Sequence, residues 1–240
     1  MKKVVFELGG KGPALIFNDA NLEEAAQGTE FSINFNSGQT CMANSRIYVQ
    51  EGVAEKFLKI LKKLASSRIM GDPTKLEVNH GPQADKVQYE AVLKYIGLGK
   101  ETGKIAMGEE QVLRDSSLTV NPVIFLEQPE DSRIMKEEVF GPVVVINTFK
   151  TEEEVIAKAN DTEFGLYAAL YTNDLNRALR VSKKLESGMV GVNCASPTGS
   201  WDLPFGGWKG SGTGRESLLE SMDHFLEHKS IYFKVPGIGG

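Results

Sequence analysis

Cys41 is the first side chain whose setting suggests chemistry, because it follows a mostly polar run, FNSGQT at positions 35–40. A cysteine attacks as the thiolate, and a confined, partly polar setting lowers the pKa of the thiol. A buried cysteine that only packs is the commoner case on composition alone. Cys194 follows the apolar run MVGVN, and we interpret it as packing or pocket lining.

Glu7 ends an apolar, strand-like run and is followed closely by Gly9 and Gly10. A glutamate in this position is costly unless it is paired, or unless a raised pKa suits it to general-base work. The glycines permit a sharp turn and the close approach of another backbone. Exposed carboxylates at strand ends are also common, so both interpretations stay open for Glu7.

Glu137 and Glu138 form an adjacent pair of carboxylates in the run KEEVFGP, at positions 136–142. Such pairs usually make a solvated patch. Here a Phe-Gly-Pro turn, which begins at Phe140, fixes the backbone directly after them. A carboxylate held at such a turn is able to accept hydrogen bonds from sugar hydroxyls.

Short β-branched runs alternate along the chain with amphipathic helical stretches, which is typical of an α/β fold. Continuous apolar strands indicate coverage on both faces, so we predict a largely parallel sheet with flanking helices. Strands are predicted at 4–8, 14–17, 46–50, 123–126, 143–149, 166–171, 189–193 and 230–235. Helices are predicted near 22–26, 53–66, 85–95, 152–160 and 175–186. Residues 196–214 form a long glycine-rich loop, and loops of that length are usually functional or disordered.

The order and spacing of these motifs resemble the aldehyde dehydrogenase superfamily. The matching runs are ELGGK from Glu7, NSGQTC ending at Cys41, EVFGP from Glu138 and PFGG from Pro204. Cys41 lies 34 residues after Glu7, and Glu138 lies 97 residues after Cys41, as we expect of that family. The resemblance covers essentially the whole chain, and four ordered motifs are far more specific than any one of them.

The resemblance implies a role for each residue. Cys41 corresponds to the thiol that attacks an aldehyde, and Glu7 to the carboxylate that activates water for thioester hydrolysis. Glu138 and Phe140 correspond to the residues that hold the nicotinamide ribose and ring of NAD(P). The implied lining of the substrate pocket is Phe35, Cys194, the segment 196–203, and Phe205. Residues 1–228 would form the catalytic domain, and residues 229–240 an oligomerisation strand and tail.

The family's dinucleotide-binding domain would precede Glu7, and no GxGxxG turn opens a helix after a strand in these 240 residues. We therefore predict weak or absent NAD(P) binding by this chain alone. Three functions compete. The first is a dehydrogenase half that is completed by a separate cofactor-domain chain. The second is a non-redox enzyme that uses Cys41 and Glu7 for carbonyl addition, cyclisation or thioester hydrolysis. The third is an inactive oligomerising module.

The composition of the chain argues against several kinds of partner and site. A net charge of −5 without a basic run argues against nucleic acid. No apolar stretch approaches the roughly 20 residues of a membrane span, and the start is too short for a signal peptide. Two cysteines without a CxxC or His/Cys cluster argue against a disulfide framework or a metal site. We expect a reduced, cytoplasmic protein that acts on a small carbonyl compound and forms a homo-oligomer, with a dimer as the simplest form.

Overall fold

A computed structural model of the chain describes residues 1–109, 118–197 and 202–237. Its strands are β1 (Phe6–Glu7), β2 (Pro13–Ile16), β3 (Arg46–Gln50), β4 (Lys104–Met107), β5 (Val123–Leu126), β6 (Val143–Phe149), β7 (Phe164–Gly165), β8 (Tyr167–Tyr171), β9 (Met189–Val192), β10 (Trp208–Lys209) and β11 (Gly212–Thr213). Its helices are α1 (Leu22–Asn34), α2 (Ala54–Ala65), α3 (Lys86–Thr102), α4 (Arg133–Lys136), α5 (Glu152–Asn160), α6 (Leu175–Ser182) and α7 (Leu218–Asp223).

A seven-stranded sheet forms the centre, in the order β4-β5-β6-β3-β2-β8-β9. Every neighbouring pair is parallel except β4 with β5, which is antiparallel at the edge. The prediction of an α/β fold with a largely parallel sheet is confirmed. The predicted strands at 46–50, 123–126 and 143–149 match β3, β5 and β6 residue for residue.

Successive side chains along each central strand point to opposite faces, and each face carries its own apolar core. On β2, Leu15 faces the core that α3, α5 and α6 cover, whereas Ala14 and Ile16 face the core under α1 and α2. Both faces of the sheet are therefore shielded from water. This explains why the strand sequences are continuous apolar runs rather than an alternation of apolar and polar residues.

Two predicted strands differ from the structure. In the predicted strand 4–8, only Phe6 and Glu7 pair, and they do so with β11 in a separate antiparallel ribbon outside the central sheet. Phe6 and Leu8 are half exposed, so they lack the two-sided coverage of a central strand. The segment 230–235 forms no strand within the described part of the chain. An extended strand needs a partner for its backbone, and pairing of this segment with another subunit stays a prediction.

The helix predicted at 85–95 extends to Thr102, and the one predicted at 175–186 ends at Ser182. Of the described residues, none form a helix long and apolar enough to span a membrane. The predicted site residues cluster at the amino-terminal ends of three central strands. Glu7 lies before β2, Cys41 lies in the turn before β3, and Glu138 lies before β6. Because these three strands are parallel neighbours, their amino ends bring the three segments together.

Candidate active site

Gly10 is the residue at which the three predicted segments meet. Its N–H donates a hydrogen bond to Oε1 of Glu138, with an N···O distance of 2.9 Å. A methyl group on Gly10 would lie 2.0 Å from the carbonyl oxygen of Cys41, so no side chain fits there. A methyl group on Gly9 would lie 2.4 Å from Oε2 of Glu138. The close backbone approach that the glycines were expected to permit is present at Gly10, whereas the atoms closest to Gly9 belong to side chains.

Cys41 is partly buried and has a free thiol. Burial raises its pKa above the ordinary value, and the carboxylate of Glu138 and, as the smallest contribution, that of Glu7 raise it further. The backbone N–H groups of Cys41 and Met42 oppose this shift, because they donate to the thiolate. The expectation that polar neighbours lower the thiol pKa is therefore wrong for the free chain. The main cause is burial of the thiol, and the two acidic residues that the fold brings near it, Glu138 and to a smaller extent Glu7, add to it.

Glu7 lies on β1, and Glu216 lies nearby on the chain after β11. Partial burial raises the pKa of Glu7, and the charge of Glu216 and a hydrogen bond with its carboxyl group raise it further. Reciprocal backbone hydrogen bonds of 2.7 Å between Phe205 and Glu216 fix the position of this second carboxyl group.

Glu138 and Phe140 lie in the loop between α4 and β6. Burial raises the pKa of Glu138, while the Gly10 hydrogen bond and the charge of Lys11 oppose the increase. Phe140 has a left-handed backbone, with φ at 54°, and its ring remains about one-third exposed at 36%. Gln88, near the start of α3, donates from Nε2 to the carbonyl of Phe140 at 2.7 Å and so stabilises this unusual backbone.

A cavity of about 490 Å³ adjoins the turn that carries Cys41. The side chains that line it are uncharged, and they include Met42, Tyr167, Met189, Cys194, Leu203 and Phe205. Cys194 and Phe205 thus lie where the sequence predicted a pocket. Phe35 is not among the described lining residues; its ring is 41% exposed and packs against Phe31, with 5.3 Å between the centroids. Of the predicted lining segment 196–203, residues 198–201 lie outside the described residues.

Three residues at the site had no role in the sequence interpretation. Gln39 and Lys11 belong to runs that carried the resemblance and Glu216 lies outside them, but nothing in the sequence indicated the contacts of any of the three. Lys11 is only 2% exposed, and burial together with the charge of Arg46 lowers its pKa to about 7, against the opposing effect of nearby carboxylates. Within residues 1–109, 118–197 and 202–237, no three His, Cys, Asp or Glu side chains are grouped to hold a metal ion.

Comparison with known proteins agrees with this geometry. The aldehyde dehydrogenase family profile matches residues 1–231, and the chain therefore belongs to the aldehyde dehydrogenase family. An aldehyde dehydrogenase of Alternaria alternata is 40% identical over 235 residues, which cover 98% of this chain and 47% of the relative. Retinal dehydrogenase 2 of Mus musculus is 42% identical over 237 residues, covering 98% of this chain and 45% of the relative.

Solved structures show the same fold. An indole-3-acetaldehyde dehydrogenase of P. syringae, in complex with NAD+ and IAA, superposes with a TM-score of 0.94 at 37% identity. An aldehyde dehydrogenase of Bacillus cereus in complex with NAD+ gives a TM-score of 0.93 at 39% identity. In both cases the match covers 98% of this chain and 48% of the other chain. The chain thus spans about half the length of these relatives.

Proposed function

We propose that this chain carries the thiol chemistry of an aldehyde dehydrogenase, with Cys41 as nucleophile and Glu7 as general base. The observation that carries the proposal is the convergence of Cys41, Glu138 and the Glu7 segment on Gly10. In the complete reaction, an aldehyde and water would become a carboxylic acid, and NAD(P)+ would be reduced. The redox step requires a cofactor-binding half in addition to this chain.

The first step is addition of the Cys41 sulfur to the carbonyl carbon of the aldehyde. The carbon–sulfur bond forms as the carbonyl π bond breaks, and the oxygen gains the negative charge of a thiohemiacetal. The backbone N–H of Cys41 would donate a hydrogen bond to that oxygen. One such donor typically contributes about 2.7–4 kcal/mol to transition-state stabilisation. With NAD(P)+ as the hydride acceptor, the same carbon would be oxidised to a thioester on Cys41.

Glu7 would act in the second half of the reaction. Its raised pKa suits it to take a proton from water, because a base works best when its pKa is close to the ambient pH. The water oxygen then attacks the thioester carbonyl, the carbon–sulfur bond breaks and the acid is released. Glu216 supports this role, because its charge and its hydrogen bond help to raise the pKa of Glu7.

Glu138 and Phe140 fit the nicotinamide end of NAD(P). The Glu138 carboxylate is anchored by Gly10 through one oxygen, so the other oxygen is available to accept from ribose hydroxyls. The exposed ring of Phe140 offers a flat apolar surface beside it. A bound nicotinamide would accept the hydride from the thiohemiacetal carbon. The expectation of weak NAD(P) binding by the isolated chain stays part of this proposal.

The cavity beside Met42 would receive the rest of the aldehyde. Its uncharged lining favours an apolar substrate chain, and its volume lies in the usual range for small-ligand sites. Thioester hydrolysis without NAD(P) is a second candidate function. It is favoured by the presence of the thiol and the Glu7–Glu216 pair within this one chain.

Hydrolysis of p-nitrophenyl acetate by the purified chain tests the proposal, because this reaction needs the thiol and the base but no cofactor. Cys41→Ala should abolish both the initial burst of nitrophenol and its steady release. Glu7→Gln should retain the burst and slow the steady release about 100-fold. Glu137→Gln is the control, since Glu137 forms an ion pair with Arg133 outside the site. Wild-type turnover in Cys41→Ala would refute the proposed function.

A further inference from the structure

The turn before Cys41 has a backbone that its residues do not favour on their own. Asn36, Ser37 and Gly38 are all left-handed, with φ values of 51°, 57° and 78°. Such a run is rare in L-residues and persists only where surrounding contacts determine it. Gly38 also approaches Gly141 so closely that an added methyl group would lie 2.0 Å from its carbonyl carbon.

Gln39 supplies contacts that hold this turn. Its side-chain Nε2 donates to the carbonyl of Asn36 at 3.1 Å and to the carbonyl of Pro82 at 3.3 Å. Its Oε1 accepts from the N–H of Ala84 at 2.7 Å. The same amide group therefore closes the turn on itself and ties it to the segment 81–84.

Two further hydrogen bonds join the same two segments. The hydroxyl of Ser37 donates to the carbonyl of Gly81 at 2.8 Å, and Nε2 of Gln83 donates to the carbonyl of Ser37 at 3.1 Å. Gln83 is only 2% exposed, so its amide is shielded from competing water. Four hydrogen bonds thus cross between the turn and the segment 81–84, and Gln39 provides two of them.

Cys41 is fixed from its other side as well. The carbonyl of Met42 accepts from the hydroxyl of Ser196, which is itself fully buried and hydrogen bonded to Ser32. The backbone of Gly10 also packs directly against the Cys41 carbonyl. The residues after Cys41 are therefore held by contacts that do not involve Gln39. The turn before Cys41, in contrast, depends on Gln39.

We infer that Gln39 is a positioning residue for Cys41, and that its amide orients the thiol and the Cys41 N–H for attack on the carbonyl. The inference rests on the proposed function and adds to it a residue that touches neither substrate nor cofactor. Misplacement of a reacting group by about 1 Å is able to cost about 100-fold in rate. Loss of the Gln39 amide should therefore slow acylation of Cys41 and leave the affinity for the ester nearly unchanged.

The test compares Gln39→Met with Gln50→Met in the purified chain. Methionine has a similar length to glutamine and lacks the amide. Gln50 is a matched control, because its amide also binds two backbone groups, the N–H of Asn18 and the carbonyl of Lys150, at the far end of β3. The first measurement is the burst rate with p-nitrophenyl acetate. The second is the ratio of iodoacetamide labelling at Cys41 to that at Cys194 in the same molecule.

We expect Gln39→Met to lower the limiting burst rate at least tenfold, to leave the ester concentration that gives half of that rate within twofold, and to change the labelling ratio at least threefold. Gln50→Met should change neither measurement. Gln83→Met removes only one contact to Ser37 and should lower the burst rate less than Gln39→Met does. If Gln39→Met does not fold, Gln83→Met takes its place in the test. Unchanged burst rates in folded Gln39→Met or Gln83→Met would overturn the inference. Absence of a burst in the wild-type chain would instead refute the proposed function.

Discussion

Gly10 determines how closely the thiol and the carboxylate segments approach one another. Its missing side chain lets the Cys41 carbonyl pass at contact distance, and its N–H holds Glu138. Burial of the thiol, together with the charge of Glu138 and to a smaller extent that of Glu7, raises the pKa of Cys41 above its ordinary value. The close approach of the three segments is therefore present without a low pKa of the Cys41 thiol.

The raised pKa of Cys41 gives a prediction for iodoacetamide labelling. The neutral thiol does not react, so the rate should be low at pH 7 and rise as the pH passes the raised pKa. Glu138→Gln keeps an oxygen for the Gly10 hydrogen bond but removes a negative charge, which lowers the Cys41 pKa and moves the rise to lower pH. Peptide mapping across a pH series measures this. An identical shift in Glu137→Gln would contradict the assigned cause.

Gly10→Ala is predicted to destabilise the chain and to displace Cys41. The new methyl group would overlap a backbone carbonyl that cannot rotate away, and such overpacking typically costs about 1–3 kcal/mol. Urea unfolding measures the loss in the free energy of unfolding. Gly52→Ala is the matched control, because no atom lies within 4 Å of its added methyl group. Equal stabilities for the two variants would show that the close approach at Gly10 is not a constraint.

At the scale of elements, the segment that leads into α3 connects the two halves of the site. Its residues 81–84 hold the turn before Cys41, and Gln88 in the first turn of α3 holds the carbonyl of Phe140. Asp85 caps the helix by accepting from the N–H of Gln88 at 2.8 Å. Movement of the start of α3 would therefore shift the turn before Cys41 and the loop that contains Phe140 together.

The ion pair between Glu30 on α1 and Arg68 after α2 fixes the chain that leads towards α3. Arg68 binds both carboxylate oxygens, at 2.7 and 2.8 Å, and the side chains are only 10% and 16% exposed. Glu30→Ala would leave a mostly buried guanidinium without its partner, which should cost about 2–4 kcal/mol in urea unfolding. Glu90→Ala breaks the exposed Lys86–Glu90 pair and should cost less than about 1 kcal/mol. Comparable costs would argue against a structural role for the buried pair.

The strands of the central sheet could be predicted from the sequence because they are continuous apolar runs that end at turns. The β1–β11 ribbon could not be predicted, because two-residue strands carry no periodic signal. In addition, Phe6 and Leu8 have the side chains of core residues although they are half exposed. At the site, residue type and setting singled out Glu7, Cys41 and the Glu137–Glu138 pair, and the family resemblance added Phe140. The contacts of Gln39 and Glu216 join residues distant in sequence, so only the folded chain reveals them.

At the scale of the whole molecule, a large apolar surface lies at the end of the chain. Phe225, Ile231, Tyr232, Phe233 and Val235 are all more than half exposed. Soluble monomers rarely leave such a surface uncovered, and an unpaired extended segment of this kind tends to join another chain. This is consistent with the predicted oligomerisation strand.

The chain is therefore predicted to form a dimer or a larger homo-oligomer. Light scattering at micromolar concentration should give at least twice the chain mass of 26.3 kDa. Tyr232→Glu places a charge in the paired segment and should shift the population towards monomer. Leu76→Glu is the control, because Leu76 is fully exposed outside this segment. A wild-type chain that stays monomeric at about 100 µM would refute the predicted interface.

The central claim is that Cys41 forms an acyl intermediate, and intact-mass analysis tests it most directly. The chain is incubated with an acetyl thioester, and separately with acetaldehyde in the presence and absence of NAD+. The account predicts one acetyl group from the thioester, located on Cys41 by peptide mapping and lost in Cys41→Ser. It predicts little acylation from acetaldehyde and NAD+, because the cofactor-binding half is not supplied. Acetylation at Cys194 alone, or none with the thioester, would contradict the account.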